Sequence, residues 1–429
     1  LGALLALLAP VRTNRAPDCG GILTPLGLRY CKYAASSLQR RILGQEQHRA
    51  PYTHVSSSRD RITSVKVVDL RLSLIPEAGV RLGIEVELGI APLRAMPTLA
   101  RLSIQADLHV DLGPDGNLQL LTSACRPTVH TRSTGQVERS ALGFPEHRLC
   151  LDVSKLLLFP NEQLISLTAL LPVTPSCQLQ YLPLAVPVFS KQGIALSLQT
   201  TFQVAGAAVP VPVSPVPFSM PELESASTSH LILALSEHFY TSLYFTLERA
   251  GAFNMTIPSM LTTATLAQKI TQVGSLYPED LPIMLSTVLR SSPRVMLEEG
   301  RAALKLFLTV HVGAGTPDFQ SFLSVSVDVT TGLQLSVSDT RMMISTAVID
   351  ILPFPLESTL PRFPPQAALL EEMFLAPVCQ QVPAWMDDVL REGVHLPHLS
   401  LFTYTDVSVV IHKDYVLVPC NLKLRRTMA

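Results

Sequence analysis

The chain has 429 residues, with 33 Lys and Arg against 34 Asp and Glu, so its formal net charge is -1. This balance gives no overall field that would attract nucleic acid, and no run of about 18 apolar residues follows the first segment, so no membrane-spanning helix is predicted. Only 16% of the residues are charged and the mean hydropathy is +0.32, which indicates that the chain buries much apolar surface or binds something apolar. The length predicts two domains.

Charge is distributed unevenly along the chain. Residues 1–200 hold 20 Lys and Arg against 14 Asp and Glu, a balance of +6 (20 − 14). Residues 201–429 hold the remaining 13 (33 − 20) against 20 (34 − 14), a balance of −7. Ordinary surface charge accounts for this difference, and the alternative is a weak attraction of the first half to an anionic lipid surface.

The chain opens with an apolar segment. Residues 1–9, LGALLALLA, resemble the hydrophobic region of a signal peptide, with cleavage expected around Ala16. The alternative is a short buried helix. We expect residues 1–16 to be a signal-peptide remnant and the protein to be secreted, which would permit disulfide bonds. The seven cysteines are an odd number and none forms a Cys-x-x-Cys pair, so at least one lacks a partner in the chain and no zinc site is predicted.

A first helix is predicted between Thr24 and Gly44. Thr24 is a suitable cap, Pro25 suits the first helical position, and Gly44 is a stop signal. The apolar residues recur at spacings that keep one face of the helix apolar: Leu28, Cys31, Leu38 and Ile42.

The hydrophobic period then changes to two, which predicts β-strands. Three long stretches alternate in this way, with the apolar sets Val68, Leu70, Leu72 and Leu74; Val80, Leu82, Ile84, Val86, Leu88 and Ile90; and Leu102, Ile104, Ala106, Leu108, Val110 and Leu112. Turn residues at 113–117 precede another apolar run. The pattern predicts an antiparallel meander with one apolar and one wet face, and strands of this length suit a strongly curled sheet.

The next part of the chain ends in a proline-rich segment. Residues 151–171 predict a helix that is interrupted near Pro160, and two strands follow over 182–189 and 193–204. Then comes GAAVPVPVSPVPFSMPE (206–222), which is either a polyproline ligand for a partner protein or an extended linker. Because it lies between two similar successions of helices and strands, we interpret it as a stiff linker.

The second half repeats the order of the first. A helix is predicted over 236–251, with Ser236 as its cap and Phe239, Leu243 and Leu247 on one face. Strands are expected over 301–312, 322–329 and 333–349. A helix is expected over 369–393, and closing strands over 402–420. One architecture is therefore used twice.

No short motif for catalysis or for a cofactor occurs in the sequence. GxSxG, HExxH, Walker and GxGxxG patterns are all missing, so we predict no enzyme, no cofactor and no metal site. His395 and His398 lie three residues apart, but Pro397 argues against a helical metal face, which leaves a structural role. We expect Trp385, the single tryptophan, in the core. Asn254 begins the single glycosylation sequon, and the alternative is an unmodified strand residue.

Three extended stretches carry a resemblance to a known family: ILTPLGLRYCKYAASSLQ (22–39), ITSVKVVDLRLSLIPEAGVRLGIEVELGI (62–90) and SHLILALSEHFYTSLYFTLERAGAFNMTI (229–257). The chain resembles the family of bactericidal/permeability-increasing protein (BPI), lipopolysaccharide-binding protein and PLUNC over nearly its whole length. The resemblance implies an α+β fold, a BPI-like boomerang of two pseudo-symmetric curled antiparallel-sheet barrels. Each barrel has a long helix, and a central sheet and a proline-rich linker join the two. It implies domains at 17–205 and 229–429, with the linker at 206–228.

The resemblance also implies a disulfide in the N-terminal domain. The two cysteines of the family match Cys125 in TSACRPT and Cys150 in HRLCLDVSKLL. Such a bridge would close a loop of about 25 residues and contribute about 3 kcal/mol. We hypothesise a second bridge, between Cys379 and Cys420, in the other domain.

The function that the resemblance implies is non-enzymatic lipid binding by a secreted, extracellular glycoprotein, in innate antibacterial defence. The ligand would be phospholipid or lipopolysaccharide, with its acyl chains between a helix and a curled sheet. Candidate pocket residues are apolar positions of the helices and facing strands, each of which has plain core packing as its alternative: Leu28, Leu38, Leu82, Ile84, Phe239, Leu243 and Leu247. We expect a monomer with peripheral membrane contact and no nucleic-acid partner.

The sequence departs from the bactericidal relatives in its charge. Those relatives carry many lysines at the N-terminal tip, whereas the first 200 residues here hold four: Lys32, Lys66, Lys155 and Lys191. Endotoxin binding and bacterial killing therefore do not carry over directly. The alternative function is a structural or storage component of a secretion such as egg white, with no essential ligand.

Overall fold

The structure is a computed structural model of the chain. It describes residues 16–34, 60–92, 98–131, 150–151, 153–155, 157–210, 216, 218–221, 228–269, 271–277, 279–315, 319–353 and 367–425. Leu38 and nearly all of the expected signal-peptide remnant (1–16) lie outside these ranges. Within them, the strands form three antiparallel sheets.

The described chain begins with strand β1 (Cys19–Leu23) and helix α1 (residues 25–34). The predicted cap is confirmed, because the Gly27 amide donates a hydrogen bond to the Thr24 hydroxyl at 3.1 Å. Pro25 follows at the first helical position, where no amide donor is needed. The rest of the predicted helix, up to Gly44, lies outside the described residues.

The N-terminal sheet is the predicted meander. Its four strands pair in chain order: β2 (Asp60–Ile75), β3 (Gly79–Pro92), β4 (Thr98–Leu112) and β5 (Leu118–Thr131). Alternate residues of β3 and β4 are buried, and cross-strand ion pairs lie on the opposite face, such as Arg81 with Asp107 at 2.6 Å. The alternation thus produces one apolar and one wet face, because successive side chains of a strand point to opposite sides.

The predicted apolar face of β2 is wrong at one residue, Val68. The register of β2 against β3 shifts between Val67 and Asp69, so Val68 occupies a β-bulge. The extra residue reverses the phase of the alternation. Val68 is 43% exposed, and Val67 instead packs against the buried residues of the sheet.

A helical segment follows the N-terminal sheet. Residues 150–151 and 153–155 are helical, a turn occurs at Leu157, and helix α2 (Leu158–Ser166) comes next. The predicted interruption therefore lies just before Pro160. Proline is tolerated there because the first turn of a helix needs no amide donor.

Six strands connect this segment to the second half: β6 (Leu171–Thr174), β7 (Cys177–Pro183), β8 (Val188–Ser190), β9 (Gly193–Val204), β10 (Ala207–Val209) and β11 (Leu231–Ser236). The proline-rich segment (206–222) includes β10 and ends before β11. Its first residues, in β10, pair with β9, and the ring of Phe218 lies 6.3 Å from that of Tyr415. The boundaries 17–205, 206–228 and 229–429 stay a prediction.

The C-terminal half begins with helix α3 (Glu237–Arg249). Its predicted cap is confirmed, since the Phe239 amide donates to the Ser236 hydroxyl at 3.3 Å. Gly251 follows with a φ of 80°, a left-handed conformation that suits glycine after a helix.

Among the described residues after α3, the chain forms a six-stranded sheet and three further helices. The strands pair in chain order: β12 (Met255–Thr262), β13 (Pro282–Glu298), β14 (Arg301–Ala314), β15 (Gln320–Ser338), β16 (Arg341–Pro353) and β17 (Val394–His395). The helices are α4 (Thr263–Ala267), α5 (Thr271–Leu276) and α6 (Ala367–Val389). The predicted strand at 301–312 and the predicted second long helix of this half are confirmed. The stretches predicted at 322–329 and 333–349 are divided differently, because β15 runs through to Ser338 and a turn at 339–340 separates it from β16.

The last strands are β18 (Phe402–Thr405), β19 (Val410–His412) and β20 (Tyr415–Leu424). They enter a central sheet whose order is β18-β20-β11-β1-β9-β7-β6. Strand β1 lies between β9 and β11 and is antiparallel to both. The predicted fold class, two curled antiparallel sheets joined by a central sheet, is therefore confirmed.

Two apolar clusters form the core of the part of the chain that the structure describes. The smaller cluster belongs to the N-terminal half and consists of Leu82, Ile84, Val86, Leu102, Ile104, Ala106, Leu108, Val153 and Leu157. The larger cluster extends from the central sheet through the C-terminal half, where α3 and α6 contribute to it.

Candidate functional site

The apolar face of the N-terminal sheet is covered by the helical residues that follow it. Val153 and Leu157 are buried and pack in the smaller cluster with Leu82 and Ile84. These two strand residues were candidates from the sequence, and both face the helical cover. The arrangement is a helix that lies over the concave apolar side of a curled sheet.

A disulfide fixes this cover to the sheet. Cys125 on β5 is bonded to Cys150, with 5.9 Å between their Cα atoms. The predicted bridge is confirmed. It holds the start of the helical segment beside the strand edge, so the cover and the sheet form one covalent unit.

The hypothesised second bridge is wrong. Cys420 is a free, buried thiol on β20, opposite Leu231 of β11. Burial raises its pKa to about 12, so the thiol stays protonated and is a poor nucleophile. The side chain of Cys379 lies outside the described residues.

The candidates on α1 are not brought to the smaller cluster. Leu28 is buried, but its neighbours on α1, namely Tyr30, Cys31 and Ala34, pack against the larger cluster. Leu38 lies outside the described residues. Sequence spacing identified the apolar face of this helix but did not indicate which sheet it would meet.

The candidates on α3 are fully buried. Phe239, Leu243 and Leu247 are 0–1% exposed and belong to the larger cluster. The rings of Phe239 and Tyr240 meet edge to face, with 5.1 Å between their centroids. These residues are close-packed, which was the plainer of their two interpretations.

A narrow cavity remains between α3 and α6. Its volume is about 10 Å³ and its walls include Tyr244, Leu247, Phe253 and Met386, which is room for about one water molecule. Trp385 closes one side. Trp385 is 40% exposed and its indole N–H donates to the carbonyl of Ala252, so the expectation that it lies in the core is wrong.

A wider cleft lies on the other side of Phe253. It has a volume of about 260 Å³ and is lined by Glu248, Arg249, Phe253, Asn254, Val288 and Leu289. Burial raises the pKa of the Glu248 carboxyl. Asn254 is exposed at the entrance to β12, so its side chain is accessible, and its glycosylation stays a prediction.

Two polar groups are buried on α3, and one of them, that of Tyr244, belongs to a wall residue of the narrow cavity. The hydroxyls of Tyr240 and Tyr244 have no hydrogen-bond partner among the described residues. Burial raises the pKa of both phenols, so both stay neutral. An unpaired buried hydroxyl costs about 1–3 kcal/mol, which would favour any water or ligand group that reached it.

The sequence contained a signal for α6 that the helix prediction did not use. Buried residues of this helix and its end recur every four positions: Phe374, Val378, Val382, Met386 and Leu390. This spacing marks one face of a helix. It would have placed Met386 inward and Trp385, one position earlier, off that face.

His395 and His398 form a stacked pair, with 5.6 Å between their ring centroids. Burial, with a smaller contribution from Arg341, lowers the pKa of His395 to about 4, and burial also lowers that of His398. No group of three or more metal-binding side chains occurs in the part of the chain that the structure describes. The pair is therefore a neutral packing element.

We expect the protein to lose stability on acidification through His395. The ring takes up a proton near pH 6.5 in the unfolded chain but only near pH 4 in the folded protein, so the unfolded state binds more protons between these values and is favoured as the pH falls. The loss should be about 1 kcal/mol, since the ring is partly exposed and solvent screens it. Urea unfolding at several pH values would show a shallower pH dependence for His395→Gln. An unchanged slope would contradict the assignment.

Among the described residues, no helix is both long and apolar enough to span a membrane.

The chain is similar to known proteins in sequence and in fold. The profile of the LBP / BPI / CETP family, C-terminal domain, matches residues 175–424. The chain is 74% identical to Protein TENP of Gallus gallus over 100% of both chains. It is 27% identical to BPI fold-containing family B member 2 of Homo sapiens over 98% of both chains. A crystal structure of lipopolysaccharide binding protein matches 96% of this chain, and 100% of that one, with a TM-score of 0.52 at 18% identity, a likeness of fold.

Proposed function

This chain belongs to the LBP / BPI / CETP family, and from that membership we propose that it is a secreted, non-enzymatic lipid-binding protein. Its ligand would be phospholipid or lipopolysaccharide, and its role would be in innate defence. The solved protein that shares its fold is named for binding lipopolysaccharide. The apolar interior of the N-terminal half supports the proposal, because acyl chains need an enclosed apolar surface.

The helical cover of the N-terminal sheet is the observation that carries this proposal. An acyl chain could enter between the helical residues Val153 and Leu157 and the strand residues Leu82 and Ile84. Both of its sides would then be removed from water. Each methylene that becomes buried contributes about 0.8 kcal/mol.

We place the acyl chains in the N-terminal half, because its smaller cluster lies between a sheet and a separate helical cover. The residues of α3 that were candidates are close-packed, and the cavity beside them holds about 10 Å³. A single acyl chain occupies far more than that, since drug-sized ligands need about 300 Å³ or more. Of the seven candidates, Leu82 and Ile84 are therefore the ones that we propose as ligand contacts.

The direct test is identification of lipid on the native protein. Mass spectrometry of an organic extract of the purified protein is expected to show phospholipid or lipid A acyl chains in a fixed ratio to protein. Vesicles that carry a labelled phospholipid should transfer it to delipidated protein. Purified protein without lipid and without uptake would sink the proposal and would favour a structural or storage role.

Filling the N-terminal interior should reduce lipid uptake. Ala106 is buried at the centre of β4 within the smaller cluster. Ala106→Met adds three heavy atoms to the space that we assign to the ligand, and we expect bound lipid per protein to fall at least threefold. Overpacking of this kind costs about 1–3 kcal/mol, so thermal unfolding would verify that the variant is folded.

The matched control is Ala124→Met on the neighbouring strand. Ala124 pairs with Asp107, whose carboxylate binds Arg81 on the wet face, and paired residues share a face. Lipid content should be unchanged in this variant. Equal lipid content in both variants would show that the ligand does not lie against β4.

A further inference from the structure

Helix α2 has an apolar outer face. Leu158, Phe159 and Ile165 are 63%, 46% and 53% exposed, and no described residue of the helix is buried. Leu158 and Ile165 are seven residues apart, which is two helical turns, so they lie on the same side. In the helical segment before the turn at Leu157, Leu151 is 47% exposed. We call these four residues the outer stripe.

The outer stripe reverses the usual pattern of a surface helix. Such a helix directs its apolar face inward and its charged residues outward, but here Leu158 and Ile165 share the exposed side with a single charged residue of the helix, Glu162. The stripe exposes on the order of 400 Å², since a side chain of this size offers about 200 Å². A contiguous apolar patch of this kind marks a contact site more often than a single exposed residue does.

The position of the stripe is fixed by hydrogen bonds on both sides. The side-chain amide of Asn161 donates to the Leu120 carbonyl at 3.1 Å and accepts from the Leu120 amide at 2.7 Å. The Ser400 amide donates to the Ser166 hydroxyl at 3.1 Å, and the Ser400 hydroxyl donates to the Gln163 side chain at 2.7 Å. The helix is therefore tied to β5 and to the C-terminal half, and its exposed side is presented on a rigid support.

We infer that the outer stripe is a docking surface for a phospholipid membrane, an inference that rests on the proposed lipid-binding function. Three observations favour lipid over a protein partner. The stripe is about half of the 800 Å² per partner that a stable dimer buries. It contains none of the Trp, Tyr or Arg residues that dominate protein interfaces. The half of the chain that carries the stripe has a charge balance of +6 (20 − 14), which suits phosphate headgroups.

Docking through this face would bring a membrane to the lipid-binding interior. Val153 and Leu157 belong to the same helical segment as the stripe and cover Leu82 and Ile84. A lipid that leaves the bilayer beside α2 would therefore meet the edge of this cover within a few residues. The stripe thus gives the proposed interior a defined point of loading.

The test is vesicle binding by Leu158→Gln/Phe159→Gln. Each apolar side chain of this size that leaves water favours the bound state about 10- to 100-fold. The assay is flotation with phosphatidylcholine vesicles, with and without phosphatidylglycerol. The variant should partition to the vesicles at least tenfold more weakly than the parent. The matched control is Met260→Gln/Leu276→Gln, which removes two apolar side chains that are 104% and 45% exposed in the C-terminal half. The control should bind as the parent does.

A tryptophan at the stripe gives a second readout. The parent has a single tryptophan, Trp385, which lies beside the narrow cavity of the C-terminal half. With brominated phosphatidylcholine, the emission of Phe159→Trp should be quenched and that of the parent should not. Equal quenching in both proteins, or none in either, would overturn the inference.

Failure of this inference and failure of the proposed function are distinguishable. If lipid is found on the native protein but vesicle binding is the same in the stripe variant and the parent, the docking surface is wrong and the lipid-binding function stands. If sedimentation shows that the parent is a dimer without vesicles and the stripe variant is a monomer, the stripe is an interface between copies, which also overturns the inference.

Discussion

Phe239→Ala is expected to lower the free energy of unfolding by about 3–5 kcal/mol, the usual loss for a buried phenylalanine. The side chain is fully buried in the larger cluster, and its ring packs edge to face on Tyr240. Removal leaves a cavity that surrounding residues of α3 and the sheet fill only in part. The helix cap is retained, because the Ser236 hydroxyl binds the amide of residue 239 and not its side chain. Equilibrium unfolding in urea measures the loss.

The same experiment shows whether the candidate residues on α3 are close-packed core residues or line a lipid pocket. Phe159→Ala is the matched control, since this ring is 46% exposed, and its effect on stability should be within about 0.5 kcal/mol. If the Phe239 ring lined a lipid chamber, Phe239→Ala would instead bind more lipid and lose less than about 1 kcal/mol. That outcome would move the ligand to the C-terminal half.

Removal of the disulfide is the second large effect. Cys125→Ala/Cys150→Ala is expected to destabilise the N-terminal half by about 3 kcal/mol, because the bridge closes a loop of 25 residues in the unfolded chain. The helical cover would also lose its anchor to β5. We therefore expect faster exchange of bound lipid as well as a lower midpoint in urea.

Reduction and a second cysteine variant separate the bridge from side-chain packing. A reducing agent should lower the stability of the parent towards that of the double variant and leave the double variant unchanged. Cys177 is a free thiol that is also buried, so Cys177→Ala removes a buried sulfur without removing a bridge and should cost about 1 kcal/mol. A double variant as stable as Cys177→Ala would show that the bridge does not hold the cover.

The element pattern of this protein could be predicted from its sequence because the relevant signals are local. Successive side chains of a strand point to opposite faces. The alternation alone therefore places Leu82 and Ile84 on the apolar face, whatever their partners are. Caps act over three residues, as for Thr24 and Ser236. The bulge at Val68 was missed because an extra residue in a strand depends on its partner strand.

The pairing of distant segments was decided only by the tertiary structure. Strand β1 contains two glycines, and its sequence carries no strand signal. It is a strand because it pairs with β9 and β11, whose partner residues lie more than 170 positions away in the sequence. The same holds for the free thiol of Cys420, which lies within paired strands of the central sheet. Bridges and interior sites require two segments to meet, and the spacing within one segment carries no record of its partner.

The sequence by itself determined the family, the curled sheets and the Cys125–Cys150 bridge, since extended similarity and alternation suffice for these. The tertiary structure decided that the apolar faces of α3 and of the N-terminal sheet pack in different clusters. Both faces have the same residue types, but α3 is enclosed on all sides, whereas the N-terminal sheet has a helical cover anchored by one disulfide. Enclosure is a property of the packed neighbours, and for that reason no periodicity in the sequence could reveal it.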